Sequence, residues 1–204
     1  MHDFELAGRS YGFLEPYLIA EIGVNHGGDM DRAKSLIKLA HEGGAHAAKF
    51  QTYKADKLAS KTTAPAYWDT NQEPTASQHE LFSKYDGFGE KEYLELKSYC
   101  DQLGIDFLST PFDLEAVDYL DPMMPLFKIA SADLTNIPLL RKIASKNKPV
   151  LLSVGASSHE EIERSLTILE QSGASQITLL HCVLNYPTPK EHAQLAQIPV
   201  LAEK

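Results

Sequence analysis

Six short apolar runs, centred near residues 20, 48, 107, 128, 151 and 179, alternate with stretches of helical period. Each run is of the continuous β-type pattern expected of a strand covered on both faces. Between them, Met30, Ala33, Leu36, Ile37 and Ala40 fit a 3.6-residue period behind Asp29, and Gly43-Gly44 closes that helix. Tyr93, Leu96, Cys100 and Leu103 mark a second helix over about 90–103, closed by Gly104. A short helix follows Asp113 as N-cap, and another spans about 138–146 with Pro138 in its first turn. Ser158 and Glu161 form a capping box ahead of Ile162, Leu166 and Leu169, and Gly173 ends that helix. Strand–helix alternation of this kind implies a parallel sheet with crossover helices.

Two stretches break the rhythm. Residues 3–17 read as a hairpin, with Gly8-Arg9-Ser10 as its turn. Residues 53–88 hold Pro65, Pro74, Tyr67 and Trp68 with no sustained period, so they read as a long loop that packs over a site as a lid or merely anchors itself. The expected organisation is a hairpin over 1–17 and a βα domain over 18–204.

The polar residues decide between sheet architectures. Glu21, Lys49, Gln51, Ser109, Thr110, Lys128, Ser131, Ser153 and His181 all fall at or just after the C-terminal ends of their runs. Lys49 and Gln51 alternate along one run and so share a face. Burying an amine costs several kcal/mol unless it is paired or used, so this run reads as the lining of a site. An open doubly wound sheet gathers its ligands at one switch point, whereas a βα barrel uses every strand end. Contributions from six strands favour a TIM (βα)8-type barrel with about six of its eight units in this chain. No G-x-G-x-x-G follows the first main run, which disfavours a dinucleotide fold.

Composition narrows the partners. The 204 residues are 43% hydrophobic and 23% charged, with a formal net charge of −9. That balance gives no electrostatic reason to expect nucleic acid. No apolar run approaches the length of a membrane span, and Met1–Glu5 lacks a signal-peptide apolar segment. Cys100 and Cys182 read as free thiols of a cytoplasmic protein.

Five motifs carry a resemblance over nearly the whole chain: Glu21-Ile-Gly-Val-Asn-His-Gly-Gly, Lys49-Phe-Gln-Thr, Ser109-Thr-Pro-Phe, Lys128-Ile-Ala-Ser-Ala-Asp and Leu180-His-Cys-Val-Leu-Asn-Tyr-Pro-Thr-Pro. In these the sequence resembles the sialic acid (N-acetylneuraminate) synthases, with the legionaminate and pseudaminate synthases. The resemblance implies condensation of phosphoenolpyruvate with an N-acyl amino sugar, such as N-acetylmannosamine, to a nine-carbon 2-keto acid and phosphate. It implies a barrel followed by a small antifreeze-like domain, and domain-swapped dimers. It places Glu21 and Gln51 on the amino sugar, with Lys49 near the reacting carbonyl. Thr110, at the end of its run, is a further substrate-binding candidate, and the resemblance places Lys128, Ser131 and Ser153 on phosphoenolpyruvate. Asp133 matches an acidic position and Tyr186 a sugar-contacting tyrosine. A phosphate-binding asparagine falls at Leu184, one position from Asn185. A divalent metal, manganese or magnesium, is implied too. Its two histidine ligands come from the seventh and eighth strands and have no counterpart here.

The chemistry so implied needs an electrophile at the aldehyde oxygen, the metal helped by Lys49. It needs cations and hydroxyls at the phosphate and carboxylate, and a carboxylate, Glu21 or Asp133, beside the oxocarbenium-like carbon. His26 and His181 are either orienting groups or satisfied core imidazoles. Two other readings stay open. One is a Schiff-base aldolase with Lys49 or Lys128 as nucleophile. The other is a shortened, non-catalytic barrel that binds ligand or pairs with another chain. Six strands leave exposed edges, so a homo-oligomer or completion by another chain is expected.

Overall fold

The computed structural model describes residues 4–61, 66, 68–185 and 187–204. The chain opens with a hairpin of β1 (Phe4–Leu6) and β2 (Arg9–Tyr11), in register Phe4–Tyr11 to Leu6–Arg9. Its turn is Ala7-Gly8, both at positive φ, so Arg9 and Ser10 belong to the second strand and not to the turn that sequence suggests. Phe4, Tyr11 and Tyr17 cluster on it, Tyr11 and Tyr17 edge to face at 5.0 Å.

The chain divides into two compact units. The first covers Leu18–Met123. Its sheet is β3 (Ile19–Gly23), β4 (Ala47–Thr52) and β5 (Asp106–Pro111), parallel and in that order. Helix α1 (Met30–Glu42) lies between β3 and β4 in sequence. Its Asp29 carboxylate accepts the Arg32 N–H, and Ala33 and Ile37 are buried. The long segment before β5 holds two short helices, α2 (Ala55–Leu58) and α3 (Gln78–Ser83), where periodicity suggested only a loop. Each is a few residues long, too short to leave a periodic signature. Tertiary bonds hold this segment. Lys54 Nζ donates to the Phe88 carbonyl at 3.0 Å, the Ala55 N–H to Asp86 at 2.9 Å, and Trp68 Nε1 to the Glu73 carbonyl at 3.0 Å. Trp68 thus anchors its own loop, while Tyr67, its partner in the lid reading, lies outside the described residues. Helix α4 (Glu90–Leu103) buries Tyr93, Leu96 and Cys100 and ends on Gly104 at φ +74°. Burial pushes the Cys100 thiol up to about 12. After β5, Asp113 accepts two N–H groups at the start of α5 (Leu114–Leu120), and a 3-10 turn follows at Asp121–Met123.

The second unit groups the hairpin with Met124–Lys204. Strands β6 (Phe127–Ile129), β7 (Val150–Ser153) and β8 (Ile177–Leu180) are parallel, again in sequence order. Between them run α6 (Ile137–Ala144), capped by Asn136, and α7 (His159–Gln171), opened by the Ser158–Glu161 capping box. Helix α6 begins one residue earlier than Pro138 alone suggests, because Asn136 supplies the cap. The Ser165 hydroxyl donates to the Leu134 carbonyl at 2.8 Å beneath α7. Helix α8 (Gln197–Leu201) closes the described chain. Every residue of β7 is buried, as expected of a strand covered on both faces, whereas every residue of β8 is half-buried. All six anticipated strands are present, and the chain is α/β with parallel sheets.

Candidate active site

The first unit's site starts from strand register. Glu21 of β3 stands opposite Lys49 of β4, and Gln51 opposite Thr110 of β5. Lys49 is buried, forms an ion pair with Glu21, and donates to the Thr110 hydroxyl at 3.3 Å. The Lys49 side chain is 8% exposed and that of Glu21 50%. One end of the pair therefore opens to solvent or to a ligand. The β3 ladder slips between Glu21 and Gly23, an irregularity that re-aims side chains at the end of a strand. Gly23 sits at φ +57°, and a Cβ there would lie 3.3 Å from Glu21 Oε1 and 3.7 Å from Gln51 Nε2. Glu21, Lys49, Gln51 and Thr110 are thus brought together at the C-terminal ends of three parallel strands. Gly23 leaves the space between two of them open.

The opposite face of the same strand ends is a packed support. Phe50 lies over Phe107 at 5.7 Å, and the His26 ring stacks on Phe88 at 4.3 Å. Tyr93 of α4 is buried, and its hydroxyl donates to the Gln51 carbonyl at 2.9 Å. Desolvation raises that phenol to about 12, with a side-chain hydrogen bond to Thr52 opposing the shift. Thr52 and Ser109 share a 2.6 Å hydroxyl–hydroxyl bond. Ser109 therefore belongs to this layer and not to the Lys49 face. His26 is 1% exposed. Its Nδ1 accepts the Gly28 N–H at 3.1 Å, and its Nε2 has no hydrogen-bond partner. Burial, with Arg32 adding to it, holds this imidazole below its ordinary value. His26 is thus a core imidazole stacked behind the strand ends.

In the second unit, Lys128 of β6 donates to the Ile129 carbonyl at 2.8 Å. Ser131 and Asp133 occupy the 3-10 turn that follows at once. Burial raises the Asp133 carboxyl, and the Asn136 carboxamide, donating at 3.1 Å, opposes that shift. Ser153 ends β7 and is buried. Asn185 is exposed in the loop after β8, where its carbonyl accepts the Thr188 hydroxyl at 2.7 Å. Tyr186 lies outside the described residues. His181 is engaged with the Ala193 carbonyl at 2.8 Å. A cleft of about 530 Å³ opens among these loops, lined by Gly155, His181, Cys182, Asn185 and His192 among others.

Among the described residues, no group of three or more His, Cys, Asp or Glu side chains is placed to hold a metal ion. The described residues by themselves therefore offer no ligand set for the implied divalent ion.

Two contributors escape a reading of sequence alone. Tyr93 shows only the helical period of a core position. The usable signal is that a tyrosine, unlike leucine or phenylalanine, brings a hydroxyl that needs a partner when buried. Gly23 falls inside a strand-like run, where a glycine signals a bulge or close approach.

Residues 36–204 match the model of the NeuB family. The chain is 43% identical over 203 residues to an uncharacterised protein of Methanocaldococcus jannaschii, covering 98% of this chain and 56% of that one. It is 40% identical over 190 residues to the N,N'-diacetyllegionaminic acid synthase of Campylobacter jejuni, covering 91% and 57%. The crystal structure of a sialic acid synthetase from Leptospira borgpetersenii, in complex with citrate, superposes with a TM-score of 0.86 at 32% identity, over 100% of this chain and 67% of that one. The chain thus spans little more than half the length of the two curated relatives.

Proposed function

As this chain belongs to the NeuB family, we propose that it carries the substrate-binding and carbon–carbon bond-forming residues of a phosphoenolpyruvate-dependent sugar-acid synthase. On this reading its six βα units are part of a (βα)8-type barrel. The substrates are phosphoenolpyruvate and an N-acyl amino sugar, N-acetylmannosamine or a relative such as the diacetamido sugar that leads to legionaminic acid. The reading is supported most by the Lys49–Glu21 pair at the strand ends, whose ammonium is buried while its carboxylate is exposed, because burying a charge for structure alone costs desolvation that one ion pair repays poorly.

The reaction joins carbon 3 of phosphoenolpyruvate to the aldehyde carbon of the open-chain sugar. The aldehyde oxygen becomes a hydroxyl, water adds to carbon 2, and phosphate leaves with the bridging oxygen to give the 2-keto acid. Lys49, aimed by Glu21 and Thr110, offers an ammonium to the aldehyde oxygen as negative charge develops there. Gln51 donates and accepts at sugar hydroxyl or acyl groups. Lys128, Ser131 and Ser153 meet the phosphate and carboxylate of phosphoenolpyruvate. Asn185, in the loop after β8, and Tyr186 extend the binding set. Asp133, its carboxyl raised by burial, is suited to exchange a proton with the attacking water.

Borohydride trapping and lysine labelling test the reading together. Borohydride with pyruvate should attach nothing to Lys49 or Lys128, and phosphoenolpyruvate should protect Lys128 from acylation. A reduced Schiff base on either lysine would move the chain to the aldolases.

A further inference from the structure

We propose that Tyr93 is a positioning residue for Gln51, its hydroxyl fixing the C-terminal end of β4 so that the Gln51 carboxamide faces the amino sugar. The pairing of β3 with β4 ends at Gly23 and Phe50, so from Gln51 onward β4 has a strand neighbour only in β5. The Gln51 carbonyl accepts instead from Tyr93, at 2.9 Å. The Tyr93 ring is itself held, edge-on to Phe88 at 6.1 Å and tilted on Phe107 at 6.2 Å. One residue further along, the Thr52–Ser109 bond ties the same strand end to β5. Tyr93 therefore reaches from α4 to the backbone of a residue whose side chain lies on the other face, beside Gly23 and Glu21. Removing the hydroxyl frees the peptide that sets the direction of the Gln51 side chain, while the ring can still fill its place in the layer.

The inference rests on the assignment of Gln51 to the amino sugar, and the test separates the two. In Tyr93→Phe, the backbone carbonyl and side-chain amide resonances of Gln51 should both move in the ligand-free protein, with the Ala47 and Ala48 signals unchanged. In phosphate release from phosphoenolpyruvate and N-acetylmannosamine, the variant should raise KM for the sugar about fivefold, the scale of one lost hydrogen bond. KM for phosphoenolpyruvate should stay as it was. Unmoved Gln51 resonances overturn the proposal, whatever the activity. Moved resonances with an unchanged sugar KM, or an equal loss for both substrates, overturn the positioning role. A wild-type chain that releases no phosphate counts against the functional reading alone, and the resonances still decide what Tyr93 does to Gln51. Should Tyr93→Phe not fold, 3-fluorotyrosine at 93 keeps ring and hydroxyl. Fluorine makes the phenol a stronger donor, so the Gln51 carbonyl and side-chain amide resonances should move together, and resonances that stay put overturn the proposal.

Discussion

Glu21 and Lys49 are register partners on adjacent parallel strands, and their ion pair is exposed at the carboxylate and buried at the ammonium. That asymmetry predicts opposite effects from its two halves. Glu21→Gln leaves a buried charge with the Thr110 hydroxyl as its remaining partner from the pair's surroundings, and should cost about 1–3 kcal/mol in urea unfolding. Lys49→Met removes the charge and should be neutral or stabilising by about 1 kcal/mol. Both should abolish sugar-dependent phosphate release. A Lys49→Met chain less stable than Glu21→Gln would show that the pair is a structural asset and not a site.

Gly23 offers a second test of the same cluster. Alanine there takes a positive φ and presses a methyl to 3.3 Å from the Glu21 carboxylate. The backbone cost is about 1–2 kcal/mol. The added contact should raise the sugar KM beyond what the stability loss explains, because the displaced groups are Glu21 and Gln51. Alanine at Gly8, also at positive φ with nothing near its Cβ, is the control for backbone strain alone.

His26 makes stability depend on pH. Its folded value lies below the ordinary 6.5, so the unfolded chain binds a proton more readily than the native one. Stability is then full above about 6.5 and is lost as pH falls from there through the lower folded value. Unfolding midpoints measured between pH 7.5 and about 5 should fall more steeply for the wild type than for His26→Gln, which has no imidazole to charge. Parallel curves would mean that another group governs this range.

Self-association is expected from the second unit. Among the described residues, β8 has one strand neighbour, β7, and all its residues are half-buried. Leu184, Leu195, Ile198 and Val200 are exposed in the segment after it. An open edge beside apolar side chains invites pairing with another chain. Light scattering at micromolar concentration should report a mass above 22.6 kDa, whereas a stable monomer would contradict the expectation.

Much of this was legible in the residues. The six strands stood out because each is a short apolar run, although only some, such as β7, are buried on both faces and β8 is half-buried throughout. The helices stood out through caps such as Asp113 and Ser158. Lys49 and Gln51 could be placed on one face from alternation alone, and the structure sets Glu21 and Thr110 beside them. The short helices around Asp56 and Glu80 left no trace, since a single turn has no period. The Ala7-Gly8 turn was displaced by one because Ala7, not a favoured residue at positive φ, takes that conformation. Alternation puts Ser109 and Thr110 on opposite faces, but only the register shows that Thr110 is the one on the Lys49 face. The hydroxyl of Tyr93 acts across the sheet from another element, which no local pattern records.

The central claim is tested most directly by phosphate released from phosphoenolpyruvate by this chain, with manganese present, with and without N-acetylmannosamine. The account predicts release that requires the sugar, one phosphate for each keto acid formed, and none in Lys49→Met. Release without the sugar, or no release above buffer, would contradict it.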